Sequence, residues 1–242
     1  MKKILTTIVA VSLAAATQVG ALTVTVSQLS GYYNTTDGGG EFNINPVTGV
    51  GYAPSVLVGG GFETFCLARN LGINIPGSYN AVVNVNGTFA SDSVGGTSQI
   101  TLGTAYLYHQ FATGVLAGYN YTPGASTRAQ SAYFLQLAIW TLQGQYSYGS
   151  LALDLGNAFV NAAASAYGGG TAGLLAAMAA NNGGGFDVGA LNLTYIAGNP
   201  YGVAAGTPAQ SMLTLLPDGG TTLMLMGIGF SSLALVSRKL RA

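Results

Sequence analysis

The chain has 242 residues, of which only 6% are charged, 49% are hydrophobic and 37 are glycine. That is far from the roughly 25% charged residues of ordinary globular domains. Its wealth of aliphatic and aromatic side chains also excludes a disordered chain. The formal net charge is zero, but it is unevenly placed: Lys2 and Lys3 lie at one end, and Arg238, Lys239 and Arg241 at the other. Between them Arg69 and Arg128 face Asp37, Glu41, Glu63, Asp92, Asp154 and Asp187, a net of −4. An acidic middle without a basic patch argues against nucleic-acid binding.

Met1-Lys2-Lys3 and the apolar stretch from Ile4 to Ala16 have the charged and hydrophobic regions of a secretory signal peptide. Val19-Gly20-Ala21 fits its cleavage site, so residues 1–21 are expected to be removed. Export places Cys66, the single cysteine, in an oxidising compartment, where it must pair between molecules, stay free or be chemically protected.

Alternating or short apolar runs predict strands at Leu22–Leu29, Glu41–Asn45, Ser55–Val58, Phe62–Leu67 and Tyr79–Phe89. Helical spacing takes over at Gln99–Leu116, Thr127–Gln143, Asp154–Tyr167 and Thr171–Asn181. Strand-like alternation returns at Asp187–Tyr195 and Ala209–Leu215. The order predicts an α+β fold. We expect one domain over residues 22–215, a β-sandwich or barrel-like scaffold with an inserted helical subdomain. Its roughly 190 residues suffice for a substantial core.

Within the helix at 127–143, the stretch Ser131–Trp140 is apolar on nearly every face, which predicts burial. Thr127 and Gln130 suggest a capping box and Gly144 a stop. In its middle stands one amide, Gln136. A buried amide without partners costs about 1–3 kcal/mol, so a partner is expected. His109, the only histidine, lies on the preceding helix and opens a second possibility, a Cys66/His109 nucleophile pair of hydrolase or transglutaminase type. The bland readings are a buried inert cysteine, an amide bonded to backbone carbonyls and a half-buried histidine.

Leu135-Gln136-Leu137-Ala138-Ile139-Trp140, taken with Phe65-Cys66-Leu67, resembles the thioester domains of bacterial surface adhesins. Their glutamine motif reads Thr-Gln-x-Ala-Ile-Trp; Leu135 stands where they have threonine. The resemblance covers roughly residues 62–182. It implies a β-scaffold carrying a helical subdomain, with a thioester joining Cys66 to Gln136. It further implies covalent capture of an amine or hydroxyl on a surface or matrix partner, without turnover and without a cofactor. Phe65, Tyr133 and Trp140 are the aromatic residues expected to keep the bond dry. A structural protein of the envelope or extracellular matrix remains the alternative.

The end of the chain, 216–242, reads as a sorting signal. Leu216-Pro217-Asp218-Gly219-Gly220 precedes an apolar run from Leu223 to Val236 and a basic end, which should stay cytoplasmic. The run is about 14–16 residues, roughly 24 Å as a helix, short for a bilayer core of about 30 Å. It resembles the PEP-CTERM class, most closely its Pro-Asp-Ser-Gly variant, with Gly219 in place of the serine. That resemblance implies membrane insertion by the C-terminal helix, processing by an exosortase and a place on the surface or in the matrix of a diderm bacterium. The Leu-Pro-x-Thr-Gly signal of monoderms fits less well, since the required threonine is missing.

Overall fold

The computed structural model describes residues 22–34, 39–46, 51–91, 95–182 and 185–216. The expected leader and the sorting signal with Pro217, Asp218 and Gly219 lie outside the described residues. So do Asp37 and Asp92.

Strand β1 (Leu22–Ser27) shows why alternation makes a half-buried strand: Val24 and Val26 are buried while Thr23 and Thr25 are exposed. It pairs antiparallel with β2 (Phe42–Asn45) on one side and β5 (Gly77–Asn84) on the other. Cross-strand partners share a face, so Val24 meets Tyr79, and Val26 meets Ile44, which in turn meets Phe62 on β4 (Gly61–Thr64). With β3 (Leu57–Val58), β8 (Val188–Tyr195) and β9 (Met212–Leu215) these form one seven-stranded sheet in the order β3-β4-β2-β1-β5-β8-β9. A small hairpin of β6 (Thr88–Ala90) and β7 (Thr97–Gln99) lies beside β8, where Asn192 Nδ2 donates to the Thr88 carbonyl over 3.0 Å.

The sheet is not a closed barrel ladder. Just past β4, however, the chain reaches across to β9: Leu67 N–H bonds Ser211 O, Leu213 N–H bonds Phe65 O, and Cys66 forms an antiparallel bridge with Met212. That seam sets the candidate site.

Between β7 and β8 lies the helical insert: α1 (Leu102–Ala112), α2 (Ser126–Leu142), α3 (Leu151–Asp154), α4 (Ala158–Ala166) and α5 (Gly170–Ala177). The α+β scaffold with an inserted helical block is therefore the architecture of this chain. Apolar side chains of sheet and helices form one continuous core. Among the described residues no helix is long and apolar enough to cross a membrane.

Several boundaries differ from expectation, among them β4, which ends at Thr64 rather than Leu67, and β9, which begins at Met212 rather than Ala209; four differences have a plain local reason. Tyr79–Phe89 is two strands, because Asn84 Oδ1 accepts from the backbone of Asn86 and Thr88 and Gly87 takes φ 72° to turn the chain. The helix expected over Asp154–Tyr167 starts only at Ala158, because Asp154 ends α3 and Asn157 caps α4 by accepting from Phe159 N–H at 2.9 Å. The helix expected from Gln99 begins at Leu102, after Thr101 caps it and β7 claims Gln99. The capping box expected of Thr127 and Gln130 is not formed: α2 starts after Ala125 with no side-chain cap, and Thr127 Oγ1 instead accepts from Asn120 Nδ2 at 2.7 Å. Its end is as expected, with Gly144 at φ 70°.

Candidate functional site

Alternation of backbone groups along an extended chain decides what Cys66 can bind. The N–H of Leu67 and the carbonyl of Phe65 point to β9. The N–H and C=O of Cys66 therefore point the opposite way, to a side with no strand. A buried backbone group left there would need a partner. Gln136 supplies it: its Oε1 accepts from Cys66 N–H at 2.9 Å, and its Nε2 donates to Cys66 O at 2.9 Å. One carboxamide thus takes the place of a neighbouring strand. Gln136 is fully buried, and Cys66 is 5% exposed. The partner predicted for the buried amide is the Cys66 residue itself.

A second amide repeats the pattern. Gln145 Nε2 donates to Leu67 O at 3.1 Å, and its Oε1 accepts from Arg69 N–H. Gln136 and Gln145 together fasten residues 66–69 along the C-terminal half of α2 and its exit. Nothing in the apolar periodicity marked Gln145, since it lies past the Gly144 stop.

Gly39 closes the other side of Gln136. A Cβ there would stand 2.9 Å from Gln136 Cγ and 3.3 Å from its Cβ, so only glycine allows this approach. Two residues on, Glu41 receives Arg128 from the first turn of α2, with Nε to Oε1 and Nη2 to Oε2 both at 2.7 Å. Arg128 also donates to Tyr121 O and Ser55 O and lies 4.2 Å over the Tyr32 ring. Tyr119 donates its hydroxyl to Glu41 Oε1. Both charges are wholly buried. Burial pushes the Glu41 carboxyl above the usual carboxylate range, and the Arg128 hydrogen bonds and charge pull it back. Burial pulls Arg128 down, but the hydrogen bonds and charge of Glu41 outweigh it and leave the guanidinium more firmly protonated. The pair pins the 39–41 segment along α2, with Gly39 seated on Gln136.

A second buried carboxyl lies close by. Glu63 Oε1 accepts from Asn43 Nδ2 at 2.8 Å, while its Oε2 has no partner among the described residues. Burial and the charge of Glu41 push its pKa up to about 8.

Cys66 borders a cavity of about 300 Å³. Phe42, Leu71, Ile73 and Ile75 give it apolar walls, Gln28 and Gln210 supply neutral polar groups, and Trp140 and Arg69 complete it. Burial pushes the Cys66 thiol well above its ordinary range. The three aromatic residues expected at the bond divide. Trp140 lines the cavity and is 4% exposed, with Nε1 lacking a hydrogen-bond partner among the described residues. Phe65 does not line it, because the residue next to Cys66 sends its ring onto Phe111 of α1, edge to face at 4.9 Å. Tyr133 does not line it either; it is half-buried on α2 with its ring 5.5 Å from Phe134. Phe42 is the aromatic wall that sequence reasoning missed.

His109 stands apart from the cavity. Its Nδ1 is 2.8 Å from the carbonyl of Phe186, in the turn before β8, and its ring faces the Phe186 ring. The structure brings Cys66, Gln136 and Trp140 together and leaves His109 with the 185–187 turn. No protein-family model, curated protein or solved structure matches the chain.

Proposed function

We propose that the chain is an exported surface or matrix protein that forms an internal thioester between Cys66 and Gln136 and uses it to attach covalently to a partner. The observation that carries this reading is the paired contact of the Gln136 carboxamide with the backbone of Cys66, buried beside a cavity. The carboxamide is held against the residue that bears the one thiol, so little orientational freedom remains to be lost in their reaction.

The chemistry follows from that placement. Sγ of Cys66 attacks Cδ of Gln136. The Cys66 N–H already bonded to Oε1 stabilises the negative charge that develops there, as an oxyanion-hole donor does. Burial keeps the thiol protonated, so its proton passes to Nε2 as the C–N bond breaks and ammonia leaves. The Cys66 end of the thioester then borders the cavity, while the Gln136 end is wholly buried, which restrains hydrolysis. An amine or hydroxyl entering the cavity attacks the same carbon, the C–S bond breaks, and the attacking group's proton returns to Sγ. The event occurs once per molecule. In this reading the leader is cleaved after Ala21, and the tail from Leu216 holds the protein in the membrane until an exosortase-type enzyme processes it in a diderm envelope.

The same two hydrogen bonds support a second reading. They satisfy every polar atom of Gln136 without a covalent bond, as a clamp in a purely structural envelope or matrix protein would. The intact mass of the purified protein separates the two. A mass lower by one ammonia with no titratable thiol, and a methylamine adduct that restores the thiol, is the expected result. Unmodified Gln136 with a freely titrating Cys66 leaves the structural reading alone. Peptide mapping identifies a hydrolysed bond by Glu at position 136. His109→Ala should leave ammonia loss and capture unchanged; loss of either would turn attention to a Cys66/His109 enzyme.

A further inference from the structure

The described residues contain two arginines and no lysine. Arg128 is consumed inside the fold by Glu41. Arg69 is exposed, forms no salt bridge among the described residues, and is the one charged side chain lining the Cys66 cavity. Its guanidinium is positioned rather than free to wander: it lies 5.0 Å from the Tyr146 ring and 5.8 Å from the Trp140 ring, and its backbone N–H is held by Gln145. In a chain this poor in charge, Arg69 is an exposed cation, without an ion pair among the described residues, held where it lines the cavity.

We propose that Arg69 is the specificity-determining residue of this cavity, selecting a lysine flanked by carboxylates on an acidic protein segment. The inference rests on the thioester reading above. The apolar walls of Phe42, Leu71, Ile73 and Ile75 suit the methylene stem of a lysine. Arg69 pairs with a flanking carboxylate through its free donors. As a positive neighbour it also disfavours the ammonium form of the entering amine, which must shed its extra proton to solvent before it can attack. The neutral amine then adds to the Gln136 carbonyl carbon, the C–S bond breaks, one amine proton goes to Sγ, and an amide is left.

The test uses the full chain, its ammonia loss first established by intact mass. It is offered acetyl-Glu-Lys-Glu-amide, acetyl-Gln-Lys-Gln-amide or an oligogalacturonate, and adducts are followed by mass. The acidic peptide should add about two- to fivefold faster than the neutral one, the range expected of an exposed ion pair. The ratio should fall towards one in about 1 M salt, where the Debye length is about 3 Å. Arg69→Gln should bring it to one, and Arg69→Glu should invert it. Equal rates for the two peptides on the wild-type protein, with ammonia loss intact, overturn the role of Arg69 and leave the thioester standing. Faster capture of the oligogalacturonate overturns the protein partner. A mass that never falls by one ammonia removes the thioester, and this inference with it.

Discussion

Glu63→Gln should make the protein less stable in mild acid and more stable at alkaline pH. In the fold the Glu63 carboxyl is wholly buried and its pKa is pushed from 4.5 up to about 8, first by burial and then by the charge of Glu41. The unfolded chain therefore loses this proton at a lower pH than the folded one. Between pH 4.5 and about 8 the native state binds more protons, so stability falls as pH rises. At about 1.4 kcal/mol per pH interval, the loss across that window is about 5 kcal/mol, a large share of a domain's stability. Glutamine removes the titration. It keeps an oxygen for Asn43 Nδ2, but places an amide nitrogen where Oε2 already lacks a partner, at a pH-independent cost of about 1–3 kcal/mol. The two effects should cross near pH 6, leaving the variant about 2–4 kcal/mol more stable above pH 8. Urea unfolding of both proteins from pH 5 to pH 9 measures this, and taking the difference cancels the titrations of groups that do not interact with Glu63. Parallel stability curves across this range would show that Glu63 is not held protonated and would refute the argument.

Two further perturbations probe how Gln136 is held. Arg128→Met leaves Glu41 buried without its counter-charge and should destabilise the protein by about 3–5 kcal/mol, read by the same urea assay; a loss under 1 kcal/mol would mean that Glu41 finds another partner or water. Gly39→Ala sets a methyl 2.9 Å from Gln136 Cγ and should cost about 1–3 kcal/mol while slowing ammonia loss, followed by intact mass over time; unchanged stability and rate would mean that the 39–41 segment is not seated on Gln136.

Much of the fold was legible because its signals are local. Val24 and Val26 against Thr23 and Thr25 give a period of two, and the apolar α2 ends at Gly144 for a backbone reason visible in one residue. The errors were local as well. Asn84, Asn86 and Gly87 are turn chemistry inside an alternating run, and Gly156-Asn157 is a stop and a cap inside an alanine-rich one. The site was legible only in part. Gln136 could be marked because an amide in an apolar helix demands a partner, and Cys66 because it is alone. Phe65 and Tyr133 were misplaced because aromatic character near a site says nothing about where a ring points: Phe65, just past β4, sends its ring onto Phe111. The Glu41–Arg128 pair, 87 positions apart, and the approach of Gly39 are long-range contacts that no periodicity encodes.

The surroundings of Gln136 hold its amide as a clamp, and under the proposed function the same contacts would serve its reaction. A clamp requires that both ends of the carboxamide be bonded, and the Cys66 N–H and C=O do this because β9 has already taken the groups on either side. Reaction requires a donor on the carbonyl oxygen and a place for the leaving nitrogen's proton to come from; the first is the same N–H, and the second is a thiol that burial keeps protonated. Loss of the amide nitrogen would break only the bond to Cys66 O, and the covalent link would restore a fixed distance between α2 and the 65–67 seam. Capture would then remove that link while leaving the Cys66 N–H on the acyl oxygen. The scaffold that Glu41, Arg128 and Gly39 hold around Gln136 shows the amide bonded at both ends, and under the proposed function the mass of the protein decides whether amide, thioester or captured product is present.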